Sequence, residues 1–477
     1  MGLHDTQYSI RNTNYQGENM SSKLWGGRFE KKEMDPRVFD FTSSIDIDGI
    51  LARYDCLGTK AHVEMLEKCG YVSSSERKDI TGALDEFLGM VEKGTADLDK
   101  HEDVHSAVQS YVENKVPESA KKMHTGRSRN EQVVCDMRLY CKDAMKRVMG
   151  LIKELQRAIV GAADKFHGNI IPGYTHLNHA QPVLFSHLLM AYVEMLERDR
   201  ERVDDALGRT DVSVMGSGAL AGSALDLRRD FVSDKLGFGK VSANSIDSVS
   251  DRDFIAEFVF ALSMTAVHLS RVSEDMILYS IPEFGFLDIH EDYCTGSSLM
   301  PQKKNADVLE LVRGRAALVI GALNSLLVLL KGLPHAYNRD LQEDKRFLVQ
   351  SVETVAAELD IMKGLVGTIE LKKEAALGKL EDEFIYATDL AEHLVRKGMP
   401  FKEAHWTVGR VVRHCVEKGI NISDLSISEL KGFSDALDKD VYKYLNPEVS
   451  VKMKKTIGST NPDLVKKEIE SWKRKLR

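Results

Sequence analysis

Apolar residues recur every three or four positions along most of this chain, and runs of alternating apolar and polar residues are scarce, so the pattern predicts helices. In Leu184–Ala206, residues Leu184, Phe185, Leu188, Leu189, Tyr192, Val193, Met195 and Leu196 fall at helical intervals before a charged continuation over Glu197–Arg202. The segment Asp253–Ile281 repeats Phe254, Phe258, Ala261, Leu262, Thr265 and Leu269 in the same way, and Pro282 stops it. Asn305 reads as an N-cap for a third helix, with Gly332 and Pro334 as its stop signals. About 26 residues at 1.5 Å each make a rod of roughly 40 Å. From Ala316 to Leu330 that rod is apolar nearly all round, broken by Asn324 and Ser325. Such a helix must be covered on every side, by a large bundle or by other subunits, and we take it to predict an oligomeric helical bundle.

The 477 residues contain only 10 prolines. At roughly 150 residues per domain the length suggests about three domains. The first 22 residues are polar and read as a flexible extension; 23–128 reads as an N-terminal segment of short helices and loops, 129–377 carries the long helices, and 378–477 is shorter and more charged. The chain ends in Lys466–Arg477, a basic amphipathic tail that reads as a solvated helix face.

Composition narrows the function classes. Hydrophobic residues make up 43% and charged residues 29%, with a net charge of −8, which argues against a broad basic surface for nucleic acid. The six cysteines, Cys56, Cys69, Cys135, Cys141, Cys294 and Cys415, show no C-x-x-C pair and no zinc-type spacing. They read as free thiols in a reducing, cytoplasmic setting; Cys294 is a possible nucleophile, though packing is the commoner role. The apolar stretch Ala316–Leu330 reads as too short and interrupted to span a bilayer, and no apolar signal region stands in the first 22 residues. Met1–Thr6 fits the loose N-myristoylation pattern without a basic cluster behind it, and reads as chance.

Four stretches could carry chemistry. Gly296-Ser297-Ser298-Leu299-Met300-Pro301-Gln302-Lys303-Lys304-Asn305 is a pliant loop feeding a helix. A helix N-terminus with Lys303 and Asn305 could hold a carboxylate and its dianion; an ordinary loop and cap is equally compatible. Gly173–Pro182 packs Thr175, His176, Asn178, His179 and Gln181 into a polar loop that could supply a general acid. Metal ligation by His176 and His179 is the weaker reading, because no carboxylate or cysteine stands at ligand spacing. His124–Asn130 offers Arg127 and Arg129 with Ser128 and Asn130, suited to a carboxylate or simply a solvated turn. Tyr337–Lys345 is densely charged, most often a surface network. No P-loop is present, and Gly216–Gly222 has no strand pattern before it, so no cofactor is expected.

Residues 296–305 match throughout the G-S-S-x-M-P-x-K-x-N signature of the fumarase/aspartase superfamily, and the chain resembles that superfamily's argininosuccinate lyase and delta-crystallin branch. The likeness also runs through Lys23–Phe29, His124–Asn130, Gly173–Pro182, Asp253–Phe258, Tyr337–Lys345, Ala387–Leu390 and Arg396–Phe401. It implies an all-α, three-domain subunit whose central long helices join in a homotetramer, with active sites shared between subunits. The implied activity is cleavage of argininosuccinate to arginine and fumarate without metal or cofactor. On the same grounds Ser297 resembles the base and His176 the acid, with Glu310 pairing the histidine and Lys303 and Asn305 stabilising an aci-carboxylate. Ser44, Ser128, Arg129, Asn130, Thr175, Tyr337, Gln342 and Lys345 match substrate-binding positions, and His105 a histidine near the site. Two departures stand out: Ala306 replaces the usual proline, and Asn178-His179 replaces the usual Gln-Arg, which puts the contacts around His176 in question.

Overall fold

A computed structural model describes residues 35–477; the N-terminal extension, the myristoylation pattern and Lys23–Phe29 lie outside the described residues. The principal helices in chain order are α1 (Ala52–Lys68), α2 (Ser74–Glu92), α3 (Val104–Lys115), α4 (Arg129–Lys165), α5 (Phe185–Thr210), α6 (Asp253–Ser280), α7 (Asp307–Leu330), α8 (Asp344–Thr368), α9 (Ala387–Arg396), α10 (Phe401–Lys418) and α11 (Pro462–Lys475). Strands β1 (Ile170–Thr175) and β2 (Asn178–Leu184) form a hairpin. The remaining strands are two residues long: β3 (Val212–Ser213), β4 (Lys240–Val241), β5 (Leu287–Asp288), β6 (Thr295–Gly296), β7 (Lys304–Asn305) and β8 (Glu370–Leu371). The expected predominantly helical fold is observed.

The chain divides into two compact units. The first combines the described residues up to Tyr140 with Asp211–Asp251 and Pro334–Lys345. Its helices are longer than the sequence pattern suggested: α1 and α2 run 17 and 19 residues. Ser73 starts α2 with a capping box, its hydroxyl accepting from Glu76 N–H and Glu76 accepting from Ser73 N–H. Leu51, Val63, Leu66, Ile80, Leu84, Val104, Val108 and Val112 are buried among these helices. Strand β3 does precede the glycine-rich segment 216–222, contrary to expectation, but it is two residues long and pairs only with β4. A dinucleotide fold needs a full βαβ unit there.

The second unit holds Cys141–Thr210, Arg252–Leu333 and Arg346–Arg477. Helix α6 packs against both α5 and α7. The inner face of α7 buries Leu309, Val312, Ala316, Val319, Ala322 and Leu326, a three-and-four spacing. Its other face leaves Leu311, Leu318, Ile320, Leu327 and Val328 about half exposed. Both α6 and α7 are long and apolar enough to cross a bilayer, which corrects the expectation drawn from 316–330 alone. The most apolar window of α6 is 61% buried and that of α7 only 28%, so α6 is a core helix and α7 still lacks cover within this chain.

Towards the C-terminus, α9 and α10 pack through Leu390, Leu394, Ala404, Val408, Val411 and Cys415. The basic tail is more than a solvated face. Helix α11 buries Val465, Ile469 and Trp472, and Lys466 and Lys473 each pair with Asp164 of α4 at 2.8 Å. Trp472 Nε1 donates to Glu194 of α5 at 2.9 Å.

Candidate active site

In the second unit, the stretch 173–182 is a β-hairpin, where the sequence suggested a loop. Thr175 pairs with Asn178, leaving His176 and Leu177 as a two-residue turn with φ of 55° and 61°. Two positive φ values are what a right-handed hairpin twist requires, yet Gly or Asn usually occupies such positions. Asn178 Nδ2 closes the turn by donating to the His176 carbonyl at 3.2 Å. Thr175, His176 and Leu177 are all exposed. Below the turn, the register slips between Pro172 and Tyr174. Gly173 is necessary there, because a Cβ would lie 2.8 Å from the Gln181 carbonyl. Tyr174 packs against Phe284 and Tyr279, and the N–H of Leu184 donates to Thr460 Oγ1 at 2.7 Å.

The loop 297–303 is held by β6 and β7, which pair Thr295 with Asn305 and Gly296 with Lys304. Asn305 is therefore a strand residue. Ala306 occupies the N-cap position of α7 without a side-chain cap, correcting the expected cap. The Ser297 hydroxyl oxygen accepts from the backbone N–H groups of Met300 at 3.1 Å and Leu299 at 3.3 Å. Lys303 closes the turn through its N–H to the Met300 carbonyl and leaves its side chain exposed. Asp307, which opens α7, accepts from the Thr295 hydroxyl. Glu310 is exposed one turn on, and within this chain it makes no hydrogen bond to His176.

The first unit gathers the other predicted positions. Ser44 donates its hydroxyl to Asp48 Oδ2 at 2.5 Å, and Asp48 Oδ1 accepts from Val104 N–H. Asp103 caps α3 by accepting from Ser106 N–H at 2.7 Å, and its second oxygen accepts from Arg129 at 2.6 Å. Burial works against the Asp103 charge, but His105, Arg129 and the Ser106 donors hold its pKa below the usual value. Ser128 Oγ accepts from Asn130 N–H, and Asn130 Nδ2 donates to the Ala219 carbonyl. Gln342 and Arg339 both donate to the Thr42 carbonyl, at 3.1 and 2.9 Å. Tyr337 follows Ala336, a strained residue at φ 69°. Lys345 is buried beside Asp344, so the inner end of 337–345 is not the surface network its composition suggested.

His105 lies deeper. Its Nδ1 is 2.5 Å from Asp55 Oδ2 and 3.6 Å from Asp136 Oδ2, and its Nε2 is buried without a hydrogen-bond partner. These three residues bring potential ligand atoms within 4.8 Å of one another. Burial and Asp55 push the Asp136 carboxyl well above its usual range, while Arg127 and Lys345 pull it down. Positive charge is thus already supplied to the cluster by side chains. Arg127 is itself buried, donating to Thr59 and paired with His124 at 2.8 Å, so it does not face solvent as a carboxylate fork. Burial and Arg127 together lower His124 to about 2 and His62 to about 3, leaving both neutral.

Sequence reasoning found the stretches but missed Asp48, Asp103 and Asp55, the carboxylates that fix Ser44, Arg129 and His105. Only Asp103 left a signal, as a cap residue ahead of an apolar run. No disulfide joins the six cysteines, and burial raises the Cys294 pKa, which argues against a thiolate nucleophile.

The architecture of long packed helices is one shared by a class of lyases. A class II fumarase from Schistosoma mansoni has the same fold, with a TM-score of 0.74 at 16% identity, covering 86% of this chain and 93% of that one. EDDS lyase in complex with formate aligns with a TM-score of 0.81 at 27% identity, over 92% of this chain and 88% of its own. The family described as "Lyase" matches residues 27–321, and "Argininosuccinate lyase C-terminal" matches 384–452. Argininosuccinate lyase of Pelotomaculum thermopropionicum is 46% identical over 96% of this chain and 99% of its own length. That of Caldicellulosiruptor saccharolyticus is 44% identical over 95% and 98%. The chain belongs to the argininosuccinate lyase family and is a lyase.

Proposed function

We propose that the protein cleaves argininosuccinate to arginine and fumarate. Ser297 takes a proton from Cβ of the succinyl group, and the electron pair moves into the neighbouring carboxylate to give an aci-carboxylate. The carbon–nitrogen bond then breaks, the carbon–carbon double bond of fumarate forms, and His176 protonates the departing guanidinium nitrogen. A serine hydroxyl is a weak base, so it needs activation. The observation that carries this reading is the pair of N–H donors, from Leu299 and Met300, aimed at Ser297 Oγ. Two fixed dipoles would stabilise an alkoxide where it forms. Lys303 and Asn305 supply the charge and amide for the aci-carboxylate, while Glu310 orients His176. Thr175 stands beside the acid. Ser44, Ser128, Arg129, Asn130, Tyr337, Gln342 and Lys345 bind substrate, and His105 supports them.

His176 and Glu310 do not meet within one chain, and α7 leaves an apolar face uncovered. Both features support a homotetramer whose sites draw on several copies, and the free cysteines fit the reducing cytoplasm in which we place it. The test is fumarate release, followed by ultraviolet absorbance, from argininosuccinate with purified protein free of added metal. Release of fumarate together with arginine supports the proposal. A folded tetramer that releases none overturns it, and adenylosuccinate would be the next substrate to try.

A further inference from the structure

We infer that His179 and Asp382 form a clamp that positions the turn carrying His176. The inference rests on the reading of His176 as the general acid. Nδ1 of His179 lies 3.0 Å from Oδ2 of Asp382.

The turn does not hold itself. His176 and Leu177 both sit in the left-handed region, where a residue with a Cβ is disfavoured by roughly 1 kcal/mol or more. Such a conformation persists only when the surroundings over-determine it. The far end of the hairpin is secured by the buried residues Ile170 and Ile171 and by the Leu184–Thr460 hydrogen bond. Among the described residues, the turn's one side-chain hydrogen bond is the local Asn178–His176 contact. Between them, β2 is tied to another element by one described polar side-chain contact, that of His179, three residues from His176.

Asp382 is itself fixed. It caps the short 3-10 segment Glu383–Tyr386, with Oδ1 accepting from Phe384 N–H at 3.1 Å, which leaves Oδ2 for the imidazole. On the hairpin side the ring of Tyr174, directly opposite on β1, backs His179 at a centroid distance of 5.3 Å. The imidazole is thus set between a neighbouring ring and an oriented carboxylate. His179 touches no reacting group; it acts through the backbone of the turn. Displacing a catalytic side chain by a fraction of an ångström lowers turnover without altering substrate affinity. The pair is about one-third exposed on both sides, so its effect is modest, about three- to five-fold.

Two variants and a rescue test the clamp. His179→Ala removes the imidazole; Asp382→Asn removes the charge and retains a residue able to cap. Each is expected to lower kcat about three- to five-fold with KM unchanged, and the double variant to lose no more than the worse single one. Amide hydrogen exchange across residues 170–184 should quicken in both. His179→Arg, which keeps an N–H donor opposite Asp382, should restore kcat and slow exchange. Unchanged exchange in both variants overturns the clamp, as do additive losses or an arginine that restores neither. Faster exchange with unchanged kcat keeps the clamp and instead removes His176 from the chemistry; His176→Asn, assayed in parallel, would then remain active.

Discussion

The hydroxyl oxygen of Ser297 accepts a hydrogen bond from the backbone N–H of Met300 at 3.1 Å, three residues along the same loop. This contact and its companion from Leu299 are made by the main chain, so they survive most side-chain changes in the loop. Ser297→Ala removes the proposed base together with the acceptor of both N–H groups, which lie in an exposed loop and can bond water in its place. Turnover should fall about a thousand-fold, within the range for losing a general base, while argininosuccinate still binds. Fumarate release and equilibrium binding, measured on the same preparation, check this; a near-normal rate would falsify the role of Ser297.

Gly173 offers a test of the hairpin's foundation. A methyl group there would press against the Gln181 carbonyl at 2.8 Å, and that atom belongs to the backbone and cannot swing away. Gly173→Ala should cost about 2 kcal/mol of stability and lower kcat through the displaced turn. Thermal unfolding read alongside turnover separates the two effects. A variant as stable as the parent would mean the register slip is not fixed at this glycine.

Asp103 does two jobs, capping α3 and receiving Arg129. Asp103→Ala should cost about 1–2 kcal/mol for the cap and leave the guanidinium without its carboxylate. Since Arg129 is a proposed substrate contact, KM for argininosuccinate should rise more than kcat falls. Steady-state kinetics with unchanged KM would detach Arg129 from binding.

Glu358 on α8 is buried, with neither carboxylate oxygen hydrogen-bonded. Burial raises its pKa from 4.5 to about 7, against the pull of Arg315. The folded chain thus holds this proton more tightly than the unfolded chain does. Stability from this group is complete below about pH 4.5 and is lost as the pH rises through 7, amounting to about 3 kcal/mol. Glu358→Gln, which cannot titrate, should match the parent near pH 4 and exceed it near pH 8. Denaturant unfolding at both values tests the sign, and equal stability at pH 8 would refute it.

Where local signals were strong, the sequence was easy to read. The helix expected at Asp253–Ile281 is found at Asp253–Ser280, because a regular apolar stripe runs into Pro282. The hairpin was missed because its turn carries His176 and Leu177 in place of glycine or asparagine, and β2 contains Pro182. The four chemical stretches were each legible as contiguous runs. Their supports were not: Asp55 and Asp382 are single carboxylates far along the chain from His105 and His179, and Asp48, though only four residues from Ser44, stands in no pattern that marks it. The basic tail was misjudged for a similar reason, since Asp164, the residue that receives Lys466 and Lys473, lies about 300 positions earlier.

The half-exposed row on α7, from Leu311 to Val328, also bears on how the protein matures. In the proposed tetramer other copies cover this stripe, so a newly synthesised chain presents it until they meet, and apolar stripes do not discriminate among partners. Capture by identical chains is second order in their concentration, whereas binding by chaperones or sticking to other unfinished proteins follows the crowd around it. Yield in the cell would then rise more steeply than expression level, and a weakly expressed gene would lose a larger fraction of its product to quality control than a strongly expressed one.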